Sequence, residues 1–296
     1  MKKFFCLFLC LLMLPLAALG EEVYPPRTYE SFKHKAYRSY QSDTLKYTVE
    51  TFLLSKVRCY LTKIWVQDPA RQIRKATAVW GKNLQKPKKI AEQIPEAALV
   101  INGSGFWSPQ YPDVPENYFG EVSDYYYTPW GSLTVTDGTV FRSLELIPYS
   151  GLTLEADGLH MYVGADPVDV LAAGPLQTWS FRDLCPIQLN GEILTPEDWE
   201  FAAKRAQRTV IGRVDRNNYL ILSVTKEGGP GLSLHRINEF FQKYFELEWL
   251  YNLDGGPSSA LLARKKGRTR IGTLLGGGTK VTDIMAFIEL PAETQE

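Results

Sequence analysis

The sequence predicts an α+β fold: a sheet-dominated single domain with several antiparallel hairpins and a few packed helices. Three observations support this prediction. Apolar and polar residues alternate along segments rich in β-branched and aromatic residues, and short turns separate apolar runs. Apolar residues at helical spacing are confined to a few short segments.

Strands account for most of the predicted elements. Residues 45–52 and 57–61 alternate with a period of two. Further along, two-residue turns whose residues tolerate positive φ predict tight hairpins, and a looser turn follows them. These turns are Asp137-Gly138, Asp157-Gly158, Asn190-Gly191 and the segment 215–218.

Three helices are predicted. The first is short and covers residues 88–93. The second starts at residues 195–198, where Pro196 suits the first helical position. The third follows Ser233, a residue type favoured as an N-cap. Its apolar residues recur at helical spacing: Leu234, Ile237, Phe241 and Phe245.

The first residues are typical of a secretory signal peptide. Lys2 and Lys3 precede an apolar run, and small residues end it at 18–20, so residues 1–20 are predicted to be removed. We expect a secreted, periplasmic or cell-envelope protein with no stable membrane insertion after cleavage. Residues 21–44 form a polar lead-in, either poorly ordered or an arm on the domain. The domain covers 45–291, and 292–296 form a tail.

Charge and cysteine content narrow the function classes. The chain has 33 Lys+Arg and 33 Asp+Glu, and loss of Lys2 and Lys3 leaves a slight acidic excess. General nucleic-acid binding needs a basic excess, so no nucleic-acid partner is expected. Cys59 and Cys185 remain after signal removal. They form either one disulfide or two buried thiols.

Three segments place small polar and glycine residues at strand ends. Residues 98–101 run into Asn102-Gly103, and residues 250–253 run into Asp254-Gly255-Gly256. Arg208-Thr209 precedes the strand at 210–212. Glycines at such positions allow a ligand to approach the backbone. An acid, an amide and a guanidinium are therefore predicted to converge on one pocket.

The order of these segments resembles the phosphodiester glycosidase family, which includes the N-acetylglucosamine "uncovering enzyme". The resemblance spans about 45–290, and its most diagnostic string is Asn-Leu-Asp-Gly-Gly-x-Ser-Ser at 252–259. The strings that carry it are AALVINGSGFW, TPWGSLTVTDGTV, CPIQLNGEI, QRTVIGRVDRNNYLILSV, LYNLDGGPSSALL and GGGTKVTDIMAFIEL.

The resemblance implies hydrolysis of a sugar–phosphate linkage with no cofactor, on a carbohydrate or sugar-phosphate substrate. Asp254 and Arg208 are the implied catalytic residues: a base or nucleophile and a phosphate clamp. The implied substrate-binding residues are Asn102, Gly103, Thr209, Gly255, Gly256, Ser258, Ser259 and Lys280. We expect Asn102 to hydrogen-bond the sugar, and the N–H groups of Gly255 and Gly256 to stabilise oxyanions.

Three positions depart from the family pattern. Lys280 stands where members usually carry Arg, and Asp283 stands where they commonly carry Asn. Residues 225–228 replace an Asp-Gly-Arg string, and Glu227 is the only carboxylate there. The second carboxylate of glycoside hydrolysis is therefore not assigned, and no ligand spacing indicates a metal site.

Two surface features bear on the substrate. An aromatic-rich stretch either stacks on sugar rings or packs a long loop; it contains Trp107, Tyr111, Tyr118, Phe119, Tyr125, Tyr126, Tyr127 and Trp130. A basic hairpin tip is either simply solvated or binds an anionic polymer. Its cations are Arg264, Lys265, Lys266, Arg268 and Arg270.

Two other functions are compatible with the sequence. One is a serine hydrolase with Ser104 as nucleophile and His160 or His235 as base, although the Gly-x-Ser-x-Gly spacing is missing. The other is a non-catalytic cell-envelope glycan-binding protein with a degenerate site.

Overall fold

A computed structural model describes residues 35–79, 82–107, 126–181, 185–265 and 267–291. The described residues belong to one compact unit, His34–Glu296. The predicted signal peptide at 1–20 and the predicted tail at 292–296 lie outside the described residues.

Strands dominate the described residues, as predicted. They are β1 Lys35–Gln41, β2 Leu45–Leu54, β3 Val57–Val66, β4 Ile73–Thr77, β5 Ala97–Asn102, β6 Leu133–Thr136, β7 Thr139–Ser143, β8 Tyr149–Glu155, β9 Gly158–Ala165, β10 Gln177–Trp179, β11 Pro186–Leu189, β12 Glu192–Ile193, β13 Arg208–Arg213, β14 Asn218–Val224, β15 Trp249–Asn252, β16 Ala260–Arg264, β17 Ile271–Gly276 and β18 Asp283–Ile288. The α-helices are α1 Pro69–Gln72, α2 Pro87–Ala91, α3 Pro167–Ala172, α4 Glu200–Ala203 and α5 Leu234–Tyr244.

The strands form three antiparallel sheets. The largest has eight strands in the order β1-β2-β3-β14-β13-β15-β11-β12. A second sheet has the order β7-β6-β10-β8-β9, and a third has the order β17-β16-β5-β18-β4. Three strands meet at the predicted site. β5, the central strand of the third sheet, and β15 of the first sheet end there. β13, the neighbour of β15, begins there.

The four predicted turns are confirmed as hairpin connections, between β6 and β7, β8 and β9, β11 and β12, and β13 and β14. At Asn190-Gly191 both residues have positive φ, 48° and 84°. Asp137 and Gly138 likewise have φ of 49° and 72°. Two successive residues of positive φ give the turn a twist that matches the flanking strands, which explains the Asn-Gly and Asp-Gly pairs.

The helix predictions had mixed outcomes. The helix behind Ser233 is confirmed as α5, and the Ser233 side chain accepts the N–H of Arg236 at 3.2 Å. The helix near 88–93 is confirmed as α2. The helix predicted to start at 195–198 is wrong: the segment forms turns, and helix α4 begins at Glu200 with Trp199 as N-cap.

The lead-in at 21–44 is partly folded. Among its described residues, Lys35–Gln41 form strand β1, which pairs with β2 at the edge of the first sheet. Residues 35–41 of the lead-in therefore form an arm on the domain, which is one of the two predicted alternatives. Among the residues that the structure describes, no helix combines the length and apolar character needed to cross a membrane.

One core cluster draws buried side chains from all three sheets, so the sheets pack around a common centre. Its members include Tyr47, Ile211 and Tyr251 from the first sheet, Leu152 and Trp179 from the second, and Leu99, Met285 and Phe287 from the third. Helix α5 packs on the other face of the first sheet, where Phe240 stacks on Phe52 with ring centroids 5.3 Å apart.

The two cysteines are buried free thiols, so the disulfide alternative is wrong. Cys59 lies on β3 and is fully buried. Burial raises the pKa of the Cys59 thiol to about 12. Such a thiol is unreactive at neutral pH, because the thiolate is the reactive species.

Candidate active site

The predicted acid lies on a turn between two buried strands. Strand β15 ends at Asn252, and the residues that follow form the Asp254 turn (residues 253–259), which contains a single 3-10 turn at Gly256–Ser258 before β16 begins. The turn is held on two sides. The N–H of Leu253 donates to the carbonyl of Thr209 on β13 at 2.9 Å, and the N–H of Asp254 donates to the carbonyl of Gly103 at 3.2 Å.

Asp254 is partly exposed, whereas its backbone is fixed. The Nδ2 of Asn102 donates to the Asp254 carbonyl oxygen at 2.7 Å. The carboxylate Oδ1 accepts the N–H of the next residue, Gly255, at 2.8 Å. The carboxylate therefore stands at the surface end of a backbone that cannot shift without losing bonds to β5 and β13.

The Asn102 side chain bonds three segments around the predicted site. Its side chain is fully buried, and its Oδ1 accepts both the Oγ1–H of Thr209 at 2.8 Å and the N–H of Ala260 at 2.9 Å. A buried amide with partners on three segments is a structural cross-link. The amide joins β5, β13 and the Asp254 turn, and the hydrogen bond from Asn102 to a sugar stays a prediction.

Arg208 lies beside the Asp254 turn at the start of β13. Its Nη2 donates to the carbonyl oxygens of Phe201 at 2.8 Å and Lys204 at 3.0 Å, and the guanidinium lies 4.3 Å from the centre of the Phe201 ring. A Cβ at Gly255 would lie 3.7 Å from the Arg208 Cδ. The structure thus places the stem of the buried Arg208 side chain against the Asp254 turn, and its guanidinium against Phe201 and Lys204.

The N–H groups of both glycines bond within the protein. The N–H of Gly255 donates to the Asp254 carboxylate, and that of Gly256 donates to the Gln207 carbonyl at 2.9 Å. The oxyanion role of these two groups stays a prediction, and these bonds show that each N–H has a partner within the protein. Gly256 has a φ of 57°, so the glycine provides a left-handed conformation that lets the turn close.

The two serines of the turn support its shape. The N–H of Ser258 donates to the Gly255 carbonyl at 3.1 Å, and that of Ser259 donates to the Gly256 carbonyl at 3.2 Å. Both serine side chains are buried. They therefore lie in the body of the turn rather than on its surface.

Lys280 makes no described bond to this cluster. Lys280 is exposed in the loop between β17 and β18, and within the described part of the chain no hydrogen bond or ion pair joins it to the Asp254 turn. Glu227 is exposed as well, and its carboxylate pairs with Arg58 at 2.8 Å. Neither residue supplies the site with a second charge through the contacts described.

A buried ion pair lies behind the site, and the sequence patterns do not single out its lysine. Lys75 on β4 places its Nζ 3.2 Å from Oδ2 of Asp283 on β18. Oδ1 of the same carboxylate accepts the N–H of Ser104 at 2.6 Å. The only feature of the sequence that could have indicated Lys75 is the placement of a lysine at an inward-facing position of the short strand β4.

The serine-hydrolase alternative finds no support in the geometry. The Ser104 side chain is buried, and its Oγ accepts the N–H of Ser180 at 3.2 Å. His160 pairs with Asp157 at 2.8 Å in the hairpin of the second sheet. Within the described residues, neither His160 nor His235 hydrogen-bonds Ser104.

The aromatic stretch lies largely outside the described residues, which omit Tyr111, Tyr118, Phe119 and Tyr125. Of the rest, Trp107 is fully buried and stacks on Trp130 with ring centroids 3.6 Å apart. Trp107 is therefore a packing residue, and the sugar-stacking interpretation is wrong for it. Tyr126, Tyr127 and Trp130 are partly exposed.

The basic hairpin tip lies between β16 and β17, as predicted, but not all of its cations are exposed. Arg264 points inward, donating to the Ala97 carbonyl at 2.9 Å and pairing with Glu289 at 3.3 Å. Lys265, Arg268 and Arg270 are exposed, and Lys266 lies outside the described residues.

One group of described side chains has the spacing of metal ligands. Ligand atoms of Glu155, Asp157 and His160 lie within 4.8 Å of one another in the β8–β9 hairpin. Glu155 already accepts the hydroxyls of Thr153 and Tyr162, both at 2.8 Å. The hydrogen bond from His160 lowers the pKa of Asp157, as expected for a carboxylate with a nitrogen partner.

Comparisons with solved structures show that the fold is a known one. The catalytic domain of zebrafish N-acetylglucosamine-1-phosphodiester alpha-N-acetylglucosaminidase, auto-inhibited by its pro-peptide, superposes with a TM-score of 0.62 at 14% identity, over 87% of this chain and 88% of that one. A hypothetical protein from Synechocystis superposes with a TM-score of 0.49 at 14% identity, over 84% of this chain and 63% of that one.

Sequence comparisons supply the family. No curated protein matches this chain. The model of the phosphodiester glycosidase family matches residues 96–288, which include β5, the start of β13 and the Asp254 turn. This match covers more than half of the chain and all of the converging segments, and the chain therefore belongs to the phosphodiester glycosidase family.

Proposed function

We propose that this protein is an exported glycosidase that hydrolyses a sugar–phosphate (phosphodiester) linkage on an envelope or extracellular glycan. The observation that carries the proposal is that the Asp254 turn, with its partly exposed carboxylate, packs against the stem of Arg208 where β5 and β15 end and β13 begins. The two charges suit the two ends of the bond: a carboxylate at the sugar carbon and a guanidinium at the phosphate.

The zebrafish relative supports this substrate class. Its name describes an enzyme that acts on N-acetylglucosamine-1-phosphodiesters. Applied to this chain, the same chemistry requires a sugar joined through its anomeric oxygen to a phosphodiester. The sugar itself and the group beyond the phosphate are left open by this proposal.

The proposed reaction breaks the bond between the anomeric carbon and the phosphate oxygen. The Asp254 carboxylate either attacks the anomeric carbon or removes a proton from the attacking water, and the electron pair of the broken bond leaves with the phosphate oxygen. A phosphomonoester has a second pKa of about 6, so it departs without full protonation. One carboxylate therefore suffices at the sugar, and no second carboxylic acid is needed at the leaving group.

Arg208 serves the departing phosphate in this mechanism. Its Nη2 is fixed by the carbonyls of Phe201 and Lys204, so the orientation of the planar group is set before substrate binds. A fixed planar fork matches phosphate oxygens better than a flexible ammonium group does. Preorganised charge of this kind stabilises the leaving group without rearrangement during the reaction.

Export is the second part of the proposal. The residues 1–20 have the composition of a secretory signal, with Lys2 and Lys3 before an apolar run. Expression with this segment followed by N-terminal sequencing of exported protein tests it. Cleavage near Gly20 is expected, and retention of the full chain inside the cell contradicts it.

A labelling experiment tests the reaction. Purified protein is incubated in ¹⁸O-water with a panel of α-linked sugar 1-phosphodiesters, and the released phosphomonoester is analysed by mass spectrometry. Attack at the anomeric carbon gives free sugar and a phosphomonoester without ¹⁸O. Incorporation of ¹⁸O into the phosphate identifies attack at phosphorus and refutes the glycosidase assignment. Sugar binding without hydrolysis supports the glycan-binding alternative.

A further inference from the structure

We propose that Asp283 and Lys75 form a positioning pair for Asp254, acting through the Gly103 loop (residues 102–105). The pair holds the loop, and the loop holds the backbone of the catalytic turn. This inference deepens the proposed function, because it rests on Asp254 being the acting carboxylate. Neither member of the pair contacts substrate in this account.

The pair is sealed from solvent. The side chains of Lys75 and Asp283 are 1% and 0% exposed, and Nζ lies 3.2 Å from Oδ2. The Lys75 Nζ also donates to the Thr178 carbonyl at 2.6 Å and lies 5.9 Å from the centre of the Trp179 ring. Lys75 and Asp283 are on the third sheet, whereas Thr178 is on the second, so the ammonium group ties the two sheets together behind the site.

The second oxygen of the Asp283 carboxylate is directed at the Gly103 loop. Oδ1 accepts the N–H of Ser104 at 2.6 Å, and the Asp283 carbonyl accepts the N–H of Gly103 at 3.2 Å. The approach is so close that a Cβ at Gly103 would clash with Oδ1 and lie 2.9 Å from Trp179 Cδ1. Glycine at this position is thus required by the carboxylate.

The Gly103 loop in turn makes two bonds to the backbone of Asp254. The Gly103 carbonyl accepts the Asp254 N–H at 3.2 Å, and the Asn102 amide donates to the Asp254 carbonyl at 2.7 Å. The Gly103 loop therefore lies between Asp283 and Asp254. Its N–H groups at Gly103 and Ser104 bind Asp283, and its Gly103 carbonyl and Asn102 amide bind Asp254. Loss of the Oδ1 acceptor leaves the Ser104 N–H buried and unpaired, and the loop must move to satisfy it.

Stability alone does not explain an ion pair at this position. Replacing a buried ion pair with apolar residues of similar volume is often neutral or stabilising, because the desolvation of both charges is costly. Burial lowers the pKa of Lys75, and the Asp283 charge opposes that shift. What an apolar replacement cannot provide is the acceptor for Ser104. The pair therefore serves to provide a hydrogen-bond acceptor for the Ser104 N–H. The Asp283 carboxylate is that acceptor, and Lys75 neutralises its charge.

Two double variants isolate this acceptor. Lys75→Met/Asp283→Asn removes both charges but keeps an amide oxygen for Ser104, whereas Lys75→Met/Asp283→Leu removes both charges and the acceptor at similar volume. We expect the asparagine variant to keep kcat on a sugar 1-phosphodiester within about threefold of wild type. The leucine variant is expected to lose about 10²-fold in kcat with KM changed by less than about threefold, because a displaced catalytic group costs turnover on this scale.

Hydrogen exchange gives a readout that does not depend on activity. Mass spectrometry should show faster amide exchange in residues 102–105 and 253–256 of the leucine variant than of the asparagine variant. Val170→Ala, in the separate cluster formed by Leu133, Val135 and Tyr149, controls for general destabilisation and should leave both segments unchanged. If wild type hydrolyses no phosphodiester, the proposed function fails, and the exchange data still decide the positioning role.

Equal kcat and equal exchange in the two double variants would overturn the proposal. Both proteins are compared at a temperature at which near-UV circular dichroism shows them folded. Lys75→Met/Asp283→Val is the second apolar variant. If neither apolar variant folds while the asparagine variant does, Asp283 is a folding residue and the positioning role is refuted.

Discussion

The side-chain amide of Asn102 donates a hydrogen bond to the carbonyl oxygen of Asp254 over 2.7 Å, across 152 residues of sequence. The same side chain accepts hydrogen bonds from Thr209 and from the N–H of Ala260. One buried amide thus fixes the end of β5 against the start of β13 and against both ends of the Asp254 turn. The position of the carboxylate depends on this residue, although the amide itself is buried.

Asn102→Asp should destabilise the fold and abolish activity. An aspartate oxygen would replace the donor Nδ2 and face the Asp254 carbonyl, which leaves two acceptors opposed and a charge buried. We expect a loss of about 3 kcal/mol or more in the free energy of unfolding. Urea denaturation measures it, and Asn190→Asp in the exposed β11–β12 turn is the control. Equal midpoints for the two variants would show that the Asn102 bonds contribute little.

Arg208→Lys should reduce turnover strongly and also lower stability, because the buried guanidinium bonds two carbonyl oxygens. Lysine keeps the charge but cannot hold a planar fork between the Phe201 and Lys204 carbonyls and a phosphate. We expect kcat/KM on a sugar phosphodiester to fall by about 10²-fold. The matched control is Arg205→Lys, an exposed arginine three residues earlier. Comparable losses in both variants would remove Arg208 from the phosphate site.

Gly103→Ala should unfold more readily than Gly278→Ala. A Cβ at Gly103 clashes with the Asp283 carboxylate, whereas a Cβ at Gly278 meets nothing within 4 Å. Forcing a methyl group into packed surroundings costs about 1–3 kcal/mol, and a tolerated surface change costs about 0.5 kcal/mol or less. Thermal or urea denaturation of both variants checks the difference. A Gly103 variant as stable as the Gly278 variant would mean that the Asp283 carboxylate can move aside.

Alkaline pH should destabilise the protein through groups that stay protonated when folded. Burial raises the pKa of Cys59 from 9.0 to about 12, and burial raises that of Tyr219 from 10.0 to about 12. The unfolded chain releases these protons first, so the stability they contribute is complete below about pH 9 and is lost as the pH rises towards 12. Each group contributes a slope of about 1.4 kcal/mol per pH unit within its window.

Urea denaturation between pH 8 and pH 11 measures this effect. Tyr219→Phe should flatten the decline above pH 10, the ordinary value for tyrosine. The variant loses the hydrogen bond from the Tyr219 hydroxyl to the Arg216 carbonyl, so its stability at pH 8 is lower and only the slope is compared. An unchanged slope would show that the Tyr219 hydroxyl ionises equally in both states.

Local patterns were sufficient for much of the fold. The Asp-Gly and Asn-Gly turns predict hairpins because Asp, Asn and Gly tolerate positive φ. Ser233 marks the start of α5 because serine is a favoured N-cap. The helix expected at Pro196 fails because proline also suits an ordinary turn, and α4 begins four residues later at Glu200.

The sequence indicates which segments meet in space, but not how their residues bond. Glycines and polar residues at strand ends point to Asn102, Arg208 and Asp254. The partners of buried groups depend on which strands meet in space, so the sequence could not show that Asn102 and the glycine N–H groups bond within the protein. The Lys75–Asp283 pair joins residues 208 positions apart, and no local pattern links them.

The turnover of Asp254→Asn on a sugar 1-phosphodiester that the wild-type protein hydrolyses is the most direct test of the account. The asparagine oxygen still accepts the Gly255 N–H, so the unfolding midpoint should remain close to that of wild type. We expect kcat to fall by about 10³-fold or more, because the side chain can no longer act as base or nucleophile. A folded Asp254→Asn protein with turnover near that of wild type would contradict the assignment of Asp254 as the acting carboxylate.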